Sequence, residues 1–169
     1  MKTRIIRFFG VAFLTSLLSL QTMNAAAEGS DTTDRFSELV DCFTYHWGGC
    51  NHANDAKNWA IRVTDWKFPG YKKHNDMADA FRHCAWMGAT ATRLGKTAAF
   101  GIGLNHEEHA PGPKQERDMD ESNNLAGAQI GEEAKENGVS DQWGYVLSHC
   151  ESKARNHKLF GLGGVMGNY

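Results

Sequence analysis

The sequence predicts an all-α fold, a single small helical domain of about five to six helices carrying two disulfides. Three observations lead there. Apolar residues recur at helical spacing along most of residues 28–169, and no stretch alternates as a half-buried strand does. Only three prolines interrupt the chain. The cysteines number four, an even count that suits paired thiols in an oxidising compartment.

Residues 1–27 are set aside from the fold. Lys2, Arg4 and Arg7 form a positive start, Phe8 to Leu20 is largely apolar, and Ala25-Ala26-Ala27 follows. This is the pattern of a cleavable secretory signal, with an apolar run too short for a lasting membrane span. The domain is then 28–169, placed in the periplasm or outside the cell, with no membrane span after cleavage. Losing three of 18 basic residues and none of 20 acidic ones leaves a net charge of −5. That balance supplies no electrostatic drive toward nucleic acid.

Thr32 or Thr33 is placed to cap a first helix to about Asp41, with Phe36, Leu39 and Val40 on its buried side. A second runs from near Asn54 to Trp66, presents Trp59, Val63 and Trp66 to the core, and stops before Pro69-Gly70. The third is capped by Asn75 or Asp76 and ended by Gly95, with Ala80, Cys84, Met87, Ala91 and Leu94 as its stripe. A fourth spans Lys96 to about His109 and ends at Ala-Pro-Gly-Pro. For the fifth, Asp118 with Glu121 three residues on has capping-box spacing, and the helix is expected to reach Gly138. Ser140 is expected to cap a sixth, through Trp143, Val146, Leu147 and Cys150, and the Gly-rich tail from Gly161 to be loosely ordered. Cys42, Cys50, Cys84 and Cys150 allow three pairings. Cys42–Cys50, closing the loop Phe43 to Gly49, with Cys84–Cys150 is favoured; a zinc site is not, since no Cys-x-x-Cys occurs.

Chemistry concentrates in three polar clusters within helical patterns. Asp79 and His83, four apart, share a face with Trp86 along it and Arg82 beside it. An Asp so placed fixes a His tautomer, joins it in proton transfer or co-ligates a metal, although such a pair also serves as a plain surface ion pair. Asn105-His106-Glu107-Glu108-His109 offers ligands or an acid–base pair, but Ala110 stands where a zinc-protease motif needs its second His. A charged helix end is the simpler reading of that run. In the third cluster Asp120, Asn124 and Gly127 fall on one face, with Asn123 alongside and Gly127 and Gly131 leaving room for a close neighbour. No Gly-x-Ser-x-Gly elbow is present, and oxidised thiols argue against cysteine catalysis.

The ordered set Asp79-Ala80-x-Arg82-His83-x-x-Trp86, His106-Glu107 and Met119-Asp120-x-x-Asn123-Asn124-x-x-Gly127 resembles an uncharacterised bacterial family. That family occurs in secreted proteins and at the C-terminal ends of large wall-associated and toxin-like proteins. The resemblance covers residues 74–131, and Cys84 stands where a small residue such as Ala is usual. It implies a shared site without naming a reaction.

The expected function is an exported metal-dependent hydrolase, acting on a phosphodiester, phospholipid or other envelope substrate. The metal ligands would be Asp79, His83, His106 and Asp120, with zinc or manganese preferred to calcium for a mixed carboxylate and imidazole set. Asp79, His83 and Glu107 are the catalytic candidates, Glu107 as general base. Arg82, Trp86, Asn123 and Asn124 would bind substrate. Two alternatives stand beside this: a peptidoglycan-cleaving enzyme using paired carboxylates such as Glu107 and Asp120, and a non-enzymatic binding or inhibitor protein whose polar set is a buried network.

Overall fold

Helix ends in this chain are set by short polar side chains and by Gly and Pro, as the computed structural model shows for residues 48–110 and 112–169. Helix α1 is Cys50–Lys67, α2 Met77–Leu94, α3 Lys96–His109, α4 Lys114–Glu136 and α5 Gln142–Arg155. A two-residue antiparallel pair follows, β1 Phe160–Gly161 against β2 Val165–Met166, with a 3-10 turn between them. The described residues form an all-α domain. The expected signal segment, the helix after Thr32 or Thr33, Trp47 and Cys42 lie outside them.

Asp76 caps α2, its carboxylate accepting from the Ala78 and Asp79 N–H groups at 2.9 and 3.0 Å. Gly95 ends α2 at φ +84°, which glycine adopts without a Cβ penalty. Two expected caps are corrected. Helix α4 begins a turn before Asp118, at Pro113, whose fixed φ suits a helix start, so Asp118 and Glu121 form no capping box. Asp118 pairs instead with Lys114 at 2.7 Å. Helix α5 is capped by Asp141 rather than Ser140, the carboxylate accepting from Gly144 N–H at 2.9 Å.

Helix α2 is central, with Ala80, Cys84, Met87 and Ala91 fully buried. Helix α1 packs on it through Ala53, Ala56, Ala60 and Thr64. The expected aromatic face is a correction: Trp59 and Val63 only border the core and Trp66 is 67% exposed. Alanines win because they let two helices approach, and Trp66 rests under the Lys67 ammonium at 4.2 Å. The α2–α4 contact is closer still. Gly127 faces the carbonyl of Cys84, and Gly131 that of Gly88, with no space for a Cβ at either.

Cys84 and Cys150 form a disulfide joining α2 to α5 across 66 residues of sequence. Closing a loop of that length stabilises by about 4 kcal/mol in the chain-entropy view. Cys50 is also disulfide-bonded, and its expected partner Cys42 lies outside the described residues.

The tail is a further correction, because it is anchored rather than loose. Asn123, fully buried in α4, holds the backbone of Phe160 from both sides: its amide donates to Phe160 O at 2.8 Å and its oxygen accepts from Phe160 N–H at 2.9 Å. Leu159 is buried, and the Tyr169 hydroxyl donates to Ala154 O at 2.6 Å. Asn123 therefore clamps the tail onto α4. Asn123→Ala is expected to lose about 2–3 kcal/mol in denaturant unfolding, since a backbone donor and acceptor lose their partners. Hydrogen exchange should report the loss first at Phe160 and Gly167.

Candidate metal centre

The site is built where α2 and α4 cross at their small residues. Asp79 and His83 lie one turn apart on α2, Asp120 and Asn124 one turn apart on α4, and the missing side chains at Gly127 and Gly131 draw the two pairs together. Helix α3 adds Glu107 from its last turn. Gly103 on α3 clears the space for Asn124, whose amide nitrogen would lie 3.1 Å from a Cβ there.

Asn124 and Glu107 orient the imidazole. Asn124 Nδ2 donates to Glu107 Oε1 at 3.0 Å, which leaves Asn124 Oδ1 as an acceptor 3.1 Å from His83 Nδ1. The proton of a neutral His83 therefore sits on Nδ1, by the logic of this network, and Nε2 carries the lone pair. Burial first, then the Arg82 guanidinium, holds His83 well below its ordinary pKa and so in that neutral form. An amide or carboxylate behind one ring nitrogen, aiming the other, is how histidine ligands are commonly oriented.

On the Nε2 side two carboxylates converge. Asp120 Oδ1 lies 3.4 Å from Nε2 and Asp79 Oδ1 3.7 Å. Both oxygens are buried and neither has a hydrogen-bond partner among the described residues. Arg82 Nη2 stands 2.5 Å from Asp79 Oδ1, compensating its charge off the line that a hydrogen bond requires, and donates to His83 Nε2 at 3.2 Å. The other oxygen of Asp79 is already used by the N–H of Asn75 at 2.6 Å. Asn75 reaches it from a left-handed turn at φ +57°, a conformation that asparagine tolerates better than most residues. One ligand atom from each of Asp79, His83 and Asp120 lies within 4.8 Å of the others, so this buried group could hold a metal ion.

The electrostatics match that arrangement. Asp120 is pushed up to about 8 by burial first, then by the neighbouring charges of Glu107 and Asp79. Burial also raises Asp79, against the lowering effect of Arg82, and raises Glu107, against that of His106. Three carboxyls around one neutral imidazole, with two orphaned oxygens, form a site short of positive charge.

The remaining expected residues sit around this centre. His106 is outside the three-residue set and meets the Trp86 ring edge-on at 5.0 Å. Glu107 lies at the Nδ1 side of His83, 3.6 Å away, where it orients rather than faces the Nε2 oxygens. Asn124 likewise positions the ring. Trp86 is 5% exposed, and its indole N–H donates to Ala53 O at 2.9 Å. A cleft of about 100 Å³ adjoins the centre, lined by Lys57, Ile61, Arg82, His83, Trp86 and His106. Lys57 and Ile61 were not legible as site residues, because a lysine within the polar first half of α1 and a lone isoleucine after it have no spacing that marks a site. Asn75 was visible only as a cap candidate.

Fold and site together define a small all-α domain with a disulfide-pinned central helix and a buried Asp–His–Asp group at a glycine-lined helix crossing. The chain belongs to the family described as "Domain of unknown function (DUF6973)", which matches residues 41–158. No solved structure matches it.

Proposed function

We propose that this domain is an exported metal-dependent hydrolase in which Asp79, His83 and Asp120 hold one divalent cation, zinc or manganese in preference to calcium. One observation carries the reading: two buried carboxylate oxygens, neither hydrogen-bonded among the described residues and one of them ion-paired to Arg82, converge on the unprotonated Nε2 of His83. A buried carboxyl oxygen left without a hydrogen bond costs about 1–3 kcal/mol; Arg82 offsets this at Asp79, and a cation at the centre would offset it at Asp120. Mixed oxygen and imidazole donors suit zinc or manganese. A cation there would acidify a bound water for attack on a phosphodiester or phospholipid. Glu107 and Asn124 keep Nε2 directed at the centre, and Arg82 neutralises surplus carboxylate charge. The Cys84–Cys150 bond and the basic, then apolar, N-terminal segment support an extracytoplasmic location.

Geometry weighs against the two alternatives. A paired-carboxylate glycosidase needs two carboxylates facing one cleft, whereas the His83 ring stands between Glu107 and Asp120. A purely structural network would satisfy its own polar atoms and adjoin no cavity, whereas here two oxygens lack hydrogen bonds among the described residues beside a cleft.

The test is metal analysis of purified oxidised protein, with calorimetric titration of zinc and manganese and a turnover screen on a chromogenic phosphodiester, phospholipid vesicles and peptidoglycan. The expected result is one cation per chain and a turnover abolished by chelator and restored by metal. Neither metal binding in the titration would overturn the proposal.

A further inference from the structure

The cleft beside the Asp–His–Asp group has a character that the centre alone does not explain. Among the described residues that line it are Lys57, Arg82 and His106, with Ile61, His83 and Trp86, and none of these is a carboxylate. This is a local excess of basic groups on a chain whose formal charge is −2. The Lys57 ammonium stands 4.9 Å from the centre of the Trp86 ring, which fixes one wall, and His106 packs edge-on to the same ring. At about 100 Å³ the cleft has room for a tetrahedral oxyanion.

We infer that this cleft seats the phosphate group of the substrate, held by Lys57 and Arg82 with His106 at its side. The inference rests on the cation reading for the chemistry next to the phosphate. Arg82 and His83 belong to both cleft and centre, so an oxyanion there lies alongside the carboxylates' cation. Arg82 now compensates Asp79. A divalent cation on Asp79 takes over that task and releases Nη2 toward an anion, while Nη1 keeps the guanidinium in place by donating to Lys73 O at 3.0 Å. Whatever is esterified to the phosphate must lie outside, past Ile61, which is 43% exposed.

The experiment uses the full oxidised chain loaded with manganese, titrated with inorganic phosphate and, separately, with acetate. Wild type is compared with Lys57→Met, which keeps an aliphatic stem over Trp86 and removes the charge, and with Lys57→Glu. Expected is phosphate binding in preference to acetate, at least ~10-fold weaker in Lys57→Met and weaker again in Lys57→Glu. Manganese titrations of both variants should match wild type. Vesicles of phosphatidylglycerol, with and without competing phosphate, identify a lipid as the source of the group if phosphate displaces them. Equal phosphate affinity in all three proteins, or acetate binding as well as phosphate, overturns the inference. If manganese does not bind while phosphate still binds through Lys57, the hydrolase reading fails and the anion cleft stands.

Discussion

Gly127→Ala is expected to destabilise the domain by at least ~3 kcal/mol, the upper range for overpacking, and to lower its melting temperature by roughly 10 °C. A Cβ at this position would collide with the carbonyl of Cys84 and lie 2.8 Å from Cys84 Cα. Both are backbone atoms, so no rotamer change relieves the clash, and α2 and α4 must separate. Gly131→Ala should behave alike, because its Cβ would meet the Gly88 carbonyl and lie 2.8 Å from Ala91 Cβ. Separation also draws Asp79 and His83 away from Asp120 and Asn124. Cation affinity should therefore fall with stability in both variants, at a temperature where each remains folded. Thermal unfolding followed by circular dichroism, with calorimetric cation titration of the folded protein, checks both effects. A Gly127→Ala protein as stable as wild type would show that the helix crossing is looser than described.

Asp120→Asn should lower divalent-cation affinity by at least ~100-fold while leaving the metal-free fold intact. It keeps the side-chain shape and removes one of the two orphaned oxygens' charges. Asn124→Ala, which keeps all three proposed ligands but removes the hydrogen bond behind His83, should cost less, about 10–100-fold, through the loss of imidazole orientation. Equal losses in the two variants would argue against Asp120 as a ligand. The same residue makes the metal-free protein pH-sensitive. Its folded pKa, about 8, lies above the ordinary 3.8, so its neutral form contributes stability that is complete below pH 3.8. That contribution is lost as the pH rises through about 8. Chelator-treated wild type should thus be less stable at pH 8.5 than at pH 6, and Asp120→Asn should show a smaller difference.

Punctuation and period carried most of the fold. Asp76 before α2, Gly95 after it and the Pro-Gly-Pro break after α3 act within a few residues of themselves, so their effect is visible in one dimension. Asp118 misled because its spacing to Glu121 fits a cap, while Pro113 one turn earlier supplies a rigid φ that starts the helix first. Trp66 misled because size suggests a core residue, while the contact between α1 and α2 is made by alanines that admit a close approach. The tail misled because its glycines suggest freedom, whereas a buried Asn123 distant in sequence holds the chain at Phe160.

By itself the sequence determined the helices of the described region, the even set of cysteines, and the membership of Asp79, His83, Asp120 and Asn124 in faces one turn apart. Those are local properties, fixed by 3.6-residue geometry and by side chains acting on their own turn. Only the tertiary structure decided that the α2 and α4 faces oppose each other, that Glu107 stands behind His83, and that His106 turns to Trp86. It likewise decided that Asn123 is a clamp while its neighbour Asn124 is a positioning group, and that Lys57 reaches the cleft from α1. The physical reason is that each depends on how closely two helices can approach, and that distance is set by what Gly127 and Gly131 lack, measured against a backbone some 40 residues away in sequence.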